Sequence, residues 1–175
     1  IAEVGQNHQG DFLMAKDYIS KLSEVGADAV KFQMRDNKTL FTPEKLAEPY
    51  SSSNSFGCTY GEHRSYLEFS VDQMYQLREY SGSLGIDFGC TAFDNNSLKH
   101  LIDMDVDFIK IASFDFGNSM FLESVIETGK QFILSVGGSH YDLVDECIGD
   151  LIEMGALFSV LHCVSLYPCP AESLN

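Results

Sequence analysis

The chain has 175 residues, of which 45 % are hydrophobic and 21 % charged, an ordinary balance for one globular domain. Its net charge of −15 sets up a field that repels nucleic acid and anionic membrane surfaces, so neither is expected as a partner. No apolar run is long enough to span a bilayer. Cys58, Cys90, Cys147, Cys163 and Cys169 are odd in number and form no CxxC pair, and three of them fall in apolar runs. They read as buried free thiols in a reducing, cytoplasmic setting rather than as a disulfide frame or zinc site. The first residue is Ile1 rather than Met, and a missing N-terminal stretch is expected.

"IAEV" at residues 1–4 opens the chain as a strand, and "GQNHQGD" follows it as a loop carrying Asn7 and His8. Asp11 or a neighbour caps a helix with Tyr18, Leu22 and Val25 on one face. "DAVKFQ" reads as a second strand. Residues 35–69 then break the pattern with "EPYSSSNSFGCTYGEH", rich in Ser, Gly and aromatics. Loops this long are functional or disordered, and the aromatics favour an ordered loop over the active face. "SVDQ" at 70–73 is a capping box that starts the next helix. The last helix carries a stripe of Leu143, Cys147, Leu151 and Met154.

A single unit recurs five times, as an amphipathic segment, a break and an apolar strand: "LSEVGADAVKF", "SGSLGIDFGCTAF", "LIDMDVDFIKIAS", "VIETGKQFILSV" and "LIEMGALFSVLHC". Gly26, Gly85, Gly129 and Gly155 stand where helices end in a left-handed residue, and Met104-Asp105 takes that place in the third copy. Strands alternating with helices imply parallel pairing with right-handed crossovers, covered on both faces. Six strands are about three quarters of an eight-fold barrel of about 250 residues. An open doubly wound sheet is the other possibility, though no GxGxxG or GxxxxGK[ST] follows a strand.

Two lysines sit where apolar residues belong. Lys31 in "DAVKFQ" shares a strand face with Ala29 and Gln33, opposite Val30 and Phe32. Lys110 in "VDFIKIAS" lies opposite Ile109 and Ile111. Lysine is almost never buried unless paired. Glu3 on the first strand is positioned to neutralise one of the two, and a bound phosphate or carboxylate is expected to answer the other. An internal Lys–Glu pair without ligand is the competing explanation. Thr91, Ser113, Ser135 and Ser165 each follow an apolar strand, where hydroxyls donate to an anion's oxygens, although a single such Ser is commonly just a turn residue. His8, a lone loop histidine, reads either as a solvated bystander or, beside Glu3 and Asn7, as a catalyst. "SVGGSH" offers backbone N–H groups to a phosphate, and "HCVSLYPCP" presents Tyr167 on a rigid loop.

The ordered run "IAEVGQNHQGD … GADAVKFQ … TYGEHRSYLEFS … TAFD … IKIAS … ILSVGG … LHCVSLYPCP" resembles the sialic acid synthases, the N-acetylneuraminate synthase family that includes relatives making legionaminic and pseudaminic acids. The resemblance covers essentially the whole chain. It implies an α/β fold of the TIM-type (β/α)8 barrel class, with residues 1–175 as about its first six β/α units. The remaining strands and an antifreeze-like C-terminal domain would lie outside this chain. The implied reaction condenses phosphoenolpyruvate with N-acetylmannosamine, its 6-phosphate or a related N-acyl sugar, releasing phosphate. By resemblance, Lys31 and Lys110 hold phosphoenolpyruvate with Thr91, Ser113 and Ser135. Glu3 sits near the reacting carbons, with His8 counted among the catalytic groups. Asn7, Gln33, Phe93, Asp115, Ser165 and Tyr167 line the substrate side.

A divalent metal, manganese or magnesium, is implied as a Lewis acid on the sugar aldehyde. The family's two metal-binding histidines lie beyond Asn175, so no metal ligand is expected here. A homodimer is implied for the full-length enzyme, and these residues alone are expected to be inactive. "SFDF", "TAFD" and "SVGG" depart from the family's frequent patterns and leave the sugar open. Two alternatives stand beside this reading: another phosphoenolpyruvate–sugar condensing barrel, akin to the 3-deoxy-octulosonate phosphate synthases, and an inactive fragment that only binds or assembles.

Overall fold

The computed structural model describes residues 1–174. The chain divides into two compact units, Ile1–Asp107 and the residues from Phe108 onward.

The first unit holds β1 (Ala2–Gly5), β2 (Ala29–Met34) and β3 (Asp87–Ala92), paired in parallel and in chain order. Helix α1 (Phe12–Glu24) connects β1 to β2 and packs on both. Asp11 caps it by accepting from the backbone N–H groups of Leu13 and Met14, as the sequence led us to expect. The buried face is not the expected one. Ala15 and Ile19 are sealed, whereas Tyr18 is exposed and Val25, just past the last turn, is 79 % exposed. The small Ala15 lets the helix sit close to the sheet, which rotates the larger Tyr18 outward.

The 35–69 excursion is ordered. It forms three short helices, α2 (Asn37–Leu40), α3 (Pro43–Ala47) and α4 (Tyr60–Leu67). Their aromatic rings stack on one another: Phe56 lies on Tyr66 at 4.7 Å, Tyr50 on His63 at 4.6 Å, and Tyr60 meets Phe41 edge-on at 5.2 Å. Thr59 and Glu62 form a reciprocal capping box at the start of α4. A second box, Ser70 with Gln73, opens α5 (Val71–Ser83), as read from "SVDQ". Helix α6 (Asn95–Asp103) is capped by Asp94 and packs on β3. After α6 the chain reverses at Asp105 with φ +53°, the conformation that Gly26 supplies after α1.

The second unit pairs β4 (Phe108–Ile111), β5 (Phe132–Ser135) and β6 (Phe158–Leu161) in parallel, with α7 (Ser119–Glu127) and α8 (Tyr141–Glu153) between them. Ile109, Ile111, Phe132, Leu134 and Val125 are fully buried. Two expectations need correcting here. In α8 only Leu151 of the stripe is buried, while Leu143 and Met154 line an open groove of about 420 Å³ with α7. Of the cysteines only Cys90 is buried, Cys58 is exposed, and the other three are half-buried. An apolar neighbourhood in sequence does not bury a side chain on a helix's outer face or in a loop. No helix among the described residues is long and apolar enough to cross a membrane.

Candidate active site

In the first unit the chemistry gathers on three adjacent strands, with Glu3 and Lys31 within β1 and β2 and with Gln33 and Thr91 each one residue from the end of its strand. Parallel register places Glu3 beside Lys31 and Gln33 beside Thr91. Gly89, the partner of Lys31 on β3, puts no side chain in its way. The Lys31 ammonium therefore reaches Glu3 Oε2 at 2.5 Å and donates to Thr91 Oγ1 at 2.9 Å. Its side chain is 7 % exposed, whereas that of Glu3 is 48 % exposed. The cation is thus held below the surface while its counter-charge opens outward. Val30 and Phe32, on the other face of β2, are wholly buried. The alternation read from "DAVKFQ" holds.

β1 carries an irregularity between Glu3 and Gly5, where Gly5 adopts φ +55°. A Cβ there would come within 2.9 Å of Glu3 Oε1 and 3.5 Å of Gln33 Nε2. The missing side chain keeps the space between these two groups open.

His8 is not a solvated bystander. Its ring is 2 % exposed and stacked on Phe69 at 4.1 Å, with Phe32 at 6.0 Å on the face of β2 opposite Lys31. Nδ1 accepts from the Gly10 backbone N–H at 3.1 Å. Desolvation lowers its pKa to about 4, only partly opposed by a hydrogen bond with the Gly5 backbone, so the ring is neutral at pH 7. It organises the β1–α1 loop, which corrects the reading of His8 as a solvated bystander. Asn7 is exposed and serves the turn through its backbone, bonding Val4 at 2.9 Å.

Its neighbour Gln6, which sequence reasoning passed over, belongs to a polar chain that links the excursion to the strand ends. Gln6 Nε2 donates to Glu68 Oε1 at 2.7 Å, and Gln6 Oε1 accepts from Arg64 at 3.2 Å. Arg64 also donates to the Tyr60 hydroxyl at 3.0 Å. Glu68 Oε1 accepts from Arg35 at 3.1 Å, and the second guanidinium nitrogen of Arg35 donates to Gln33 Oε1 at 2.6 Å. Phe93 lies beneath the guanidinium, 3.9 Å from it. Desolvation raises the Glu68 carboxyl above its ordinary range and lowers Arg35, and each supports the other's charge. A cavity of about 530 Å³ opens beside Arg35, Asp36, Lys38 and Glu68. The only sequence signal for this cluster was a scarce arginine immediately after a strand.

In the second unit, Lys110 is half-buried on the face of β4 opposite Ile109 and Ile111. It is not without a partner in the protein, so its burial alone does not call for an anion. Ser113, in a short 3-10 turn after β4, accepts from the Gly137 N–H at 3.1 Å. Gly137 is favoured by closeness, since a Cβ there would lie 3.0 Å from Cys163, and Gly138 by its backbone, which has φ +78°. Ser135 ends β5 and is buried, and its hydroxyl has no hydrogen-bond partner among the described residues. Asp115 is buried in the 3-10 turn. Ser165 is exposed, and Tyr167 is 95 % exposed, ahead of a cis peptide bond to Pro168.

Comparison with known proteins gives these groups a context. Residues 18–175 match the NeuB family. The chain is 37 % identical over its whole length to the human N-acetylneuraminate-9-phosphate synthase, covering 49 % of that protein. It is 34 % identical to the N,N'-diacetyllegionaminic acid synthase of Legionella pneumophila, again over its whole length and covering 51 % of that protein. The crystal structure of the N-acetylneuraminic acid synthetase of Leptospira borgpetersenii superposes with a TM-score of 0.84 at 29 % identity, over 99 % of this chain and 56 % of that one. The chain thus spans about half the length of these relatives, and its six β/α units have the TIM-type (β/α)8 barrel fold. This chain belongs to the NeuB family, the sialic acid synthases.

Proposed function

We propose that these residues are the N-terminal part of a synthase condensing phosphoenolpyruvate with an N-acylated amino sugar, releasing phosphate. The observation that carries the reading is the buried Lys31 ammonium, braced by Glu3 and Thr91 on the flanking strands, in a chain of this family. A fixed cation with an outward-facing counter-charge suits an anionic three-carbon reactant. Lys31 and Thr91 are assigned to that reactant, as are Lys110, Ser113 and Ser135. The unpartnered Ser135 hydroxyl has a hydrogen bond left to give. Gln33, Phe93, Asp115, Ser165 and Tyr167 are assigned to the sugar side.

In the reaction, the enol π pair of phosphoenolpyruvate forms the bond to the sugar's aldehyde carbon, whose oxygen takes a proton to become a hydroxyl. The neighbouring enol carbon becomes oxocarbenium-like and adds water, which loses a proton. The carbon–oxygen bond to phosphate then breaks with its electron pair leaving on phosphate, while the new hydroxyl gives up its proton to the departing phosphate and becomes the ketone oxygen. The Glu3 carboxylate, half-exposed beside Lys31, stabilises the transient positive charge, while the lysine holds the anionic groups in register. A divalent metal is expected in the full-length enzyme. Among the described residues no cluster of three or more His, Cys, Asp or Glu is arranged to hold one, so no step is routed through a metal here. A homodimer and a cytoplasmic location complete the reading.

The test is phosphate release by the full-length protein given phosphoenolpyruvate with N-acetylmannosamine, its 6-phosphate or diacetylated relatives. Release dependent on one of these sugars is expected, and none from residues 1–175 alone. Failure with every N-acyl sugar rejects the reading, and turnover by the 175 residues overturns the assignment of essential groups downstream.

A further inference from the structure

We infer that Arg35 is a positioning residue that locks the Gln33 side chain as a one-way hydrogen-bond donor, so that the sugar must present an acceptor oxygen to it. The inference rests on the reading above and deepens it. A glutamine amide at a strand end offers an oxygen and an NH₂ that exchange places on rotation, and only the surrounding network decides which points where. Here Gln33 Oε1 is taken by an Arg35 guanidinium nitrogen at 2.6 Å. Rotating the amide would set NH₂ against the guanidinium, donor against donor. Nε2 is accordingly left on the side of Gly5, whose missing side chain keeps the space toward Glu3 open.

The guanidinium cannot follow a rotating amide, because it is held on other sides. Phe93 lies under it at 3.9 Å, and Glu68 accepts from it at 3.1 Å. Glu68 is itself bonded by Gln6, whose own amide is oriented by Arg64. Gln33 thus becomes a donor fixed by contacts that run back into the excursion. An N-acyl carbonyl or a sugar hydroxyl oxygen meets it well, whereas an ammonium, as on a de-acylated amino sugar, presents only donors and a like charge near Arg35.

The experiment uses the full-length protein and resolves KM for each substrate. Arg35→Met paired with Glu68→Met, which avoids stranding a buried carboxylate, should raise the sugar KM about tenfold and leave the phosphoenolpyruvate KM within about twofold. Gln33→Glu keeps the bond to Arg35 but replaces the donor by an acceptor, and should do the same. Arg35→Lys should not restore the sugar KM, since an ammonium lacks the planar fork and the stack. An unchanged sugar KM in these variants, or equal rises for both substrates, overturns the inference. The Gln33 amide proton pair in a nitrogen-15 spectrum gives a readout free of turnover: slow hydrogen exchange in the wild type and fast exchange in the double variant. Equal exchange in the two overturns the locking of Gln33 even if the condensation reading itself fails for lack of activity.

Discussion

The Lys31 ammonium lies 2.5 Å from the Glu3 carboxylate on the adjacent parallel strand, the lysine buried and the glutamate half-exposed. The pair is unequal. Removing the glutamate strands a buried cation with one hydroxyl, while removing the lysine leaves a carboxylate that water already reaches. Glu3→Gln should therefore cost about 1–3 kcal/mol in unfolding free energy, and Lys31→Met markedly less. In the double variant the costs should be sub-additive, as measured by denaturant unfolding of all three. Equal costs for the two single changes would mean that Lys31 is solvated through Glu3. In activity the order should invert, with Lys31→Met losing at least about 100-fold in kcat/KM for phosphoenolpyruvate.

Lys110→Met is the companion test on β4. The fold should survive, because its flanking isoleucines carry the burial. The phosphoenolpyruvate KM should climb steeply, by roughly 10- to 100-fold, as expected for loss of one charge-assisted contact. A wild-type KM would confine its ammonium to contacts within the protein.

Ser135→Ala separates ligand binding from stability. The Ser135 hydroxyl is buried with no partner among the described residues, so its loss should leave the thermal midpoint unchanged or slightly raised. The phosphoenolpyruvate KM should rise by about tenfold if a substrate oxygen takes that hydrogen bond. A fall in the midpoint without a change in KM would show the hydroxyl to be structural.

His8 makes stability depend on acidity. Its pKa in the fold is about 4, below the ordinary value of 6.5, so the unfolded chain binds the extra proton first. The His8 contribution is complete above about pH 6.5 and is lost as pH falls toward 4. The lowering from 6.5 to about 4 amounts to about 3 kcal/mol at most. Urea midpoints across this range should decline in the wild type and much less in His8→Gln. Parallel slopes would place the responsible group elsewhere.

Gly10→Ala tests how "GQNHQGD" docks on the excursion. Gly10 has φ +76°, and a Cβ there would lie 2.3 Å from the Tyr66 carbonyl oxygen. Backbone must move to admit it, so the substitution should cost at least about 2 kcal/mol. Gly26→Ala, at a positive φ but with nothing within 4 Å, should cost only about 1 kcal/mol. Similar losses at both positions would mean that conformation, and not the Tyr66 contact, decides.

Local rules accounted for the elements and for one half of the charge chemistry. Asp11, Ser70 and Gln73 cap as their side-chain chemistry requires, and alternation put Lys31 and Lys110 on the faces they occupy. The resemblance supplied the expected reactants. The Arg35–Glu68 pair was not legible, because its members are 33 residues apart across the excursion and neither stands in a pattern of period two or 3.6. The burial of His8 was not legible, because a loop position says nothing of which rings close over it.

The sequence by itself determined the alternation of strands and helices, their caps, and the need of a lysine inside a strand for a partner. These follow from interactions within a few residues and from the cost of burying charge. Only the tertiary structure decided which partner that was, which way the Gln33 amide points, and that His8 is buried under aromatic rings rather than solvated. Those outcomes depend on strand register and on how the 35–69 excursion folds back, contacts between groups that local periodicity does not connect.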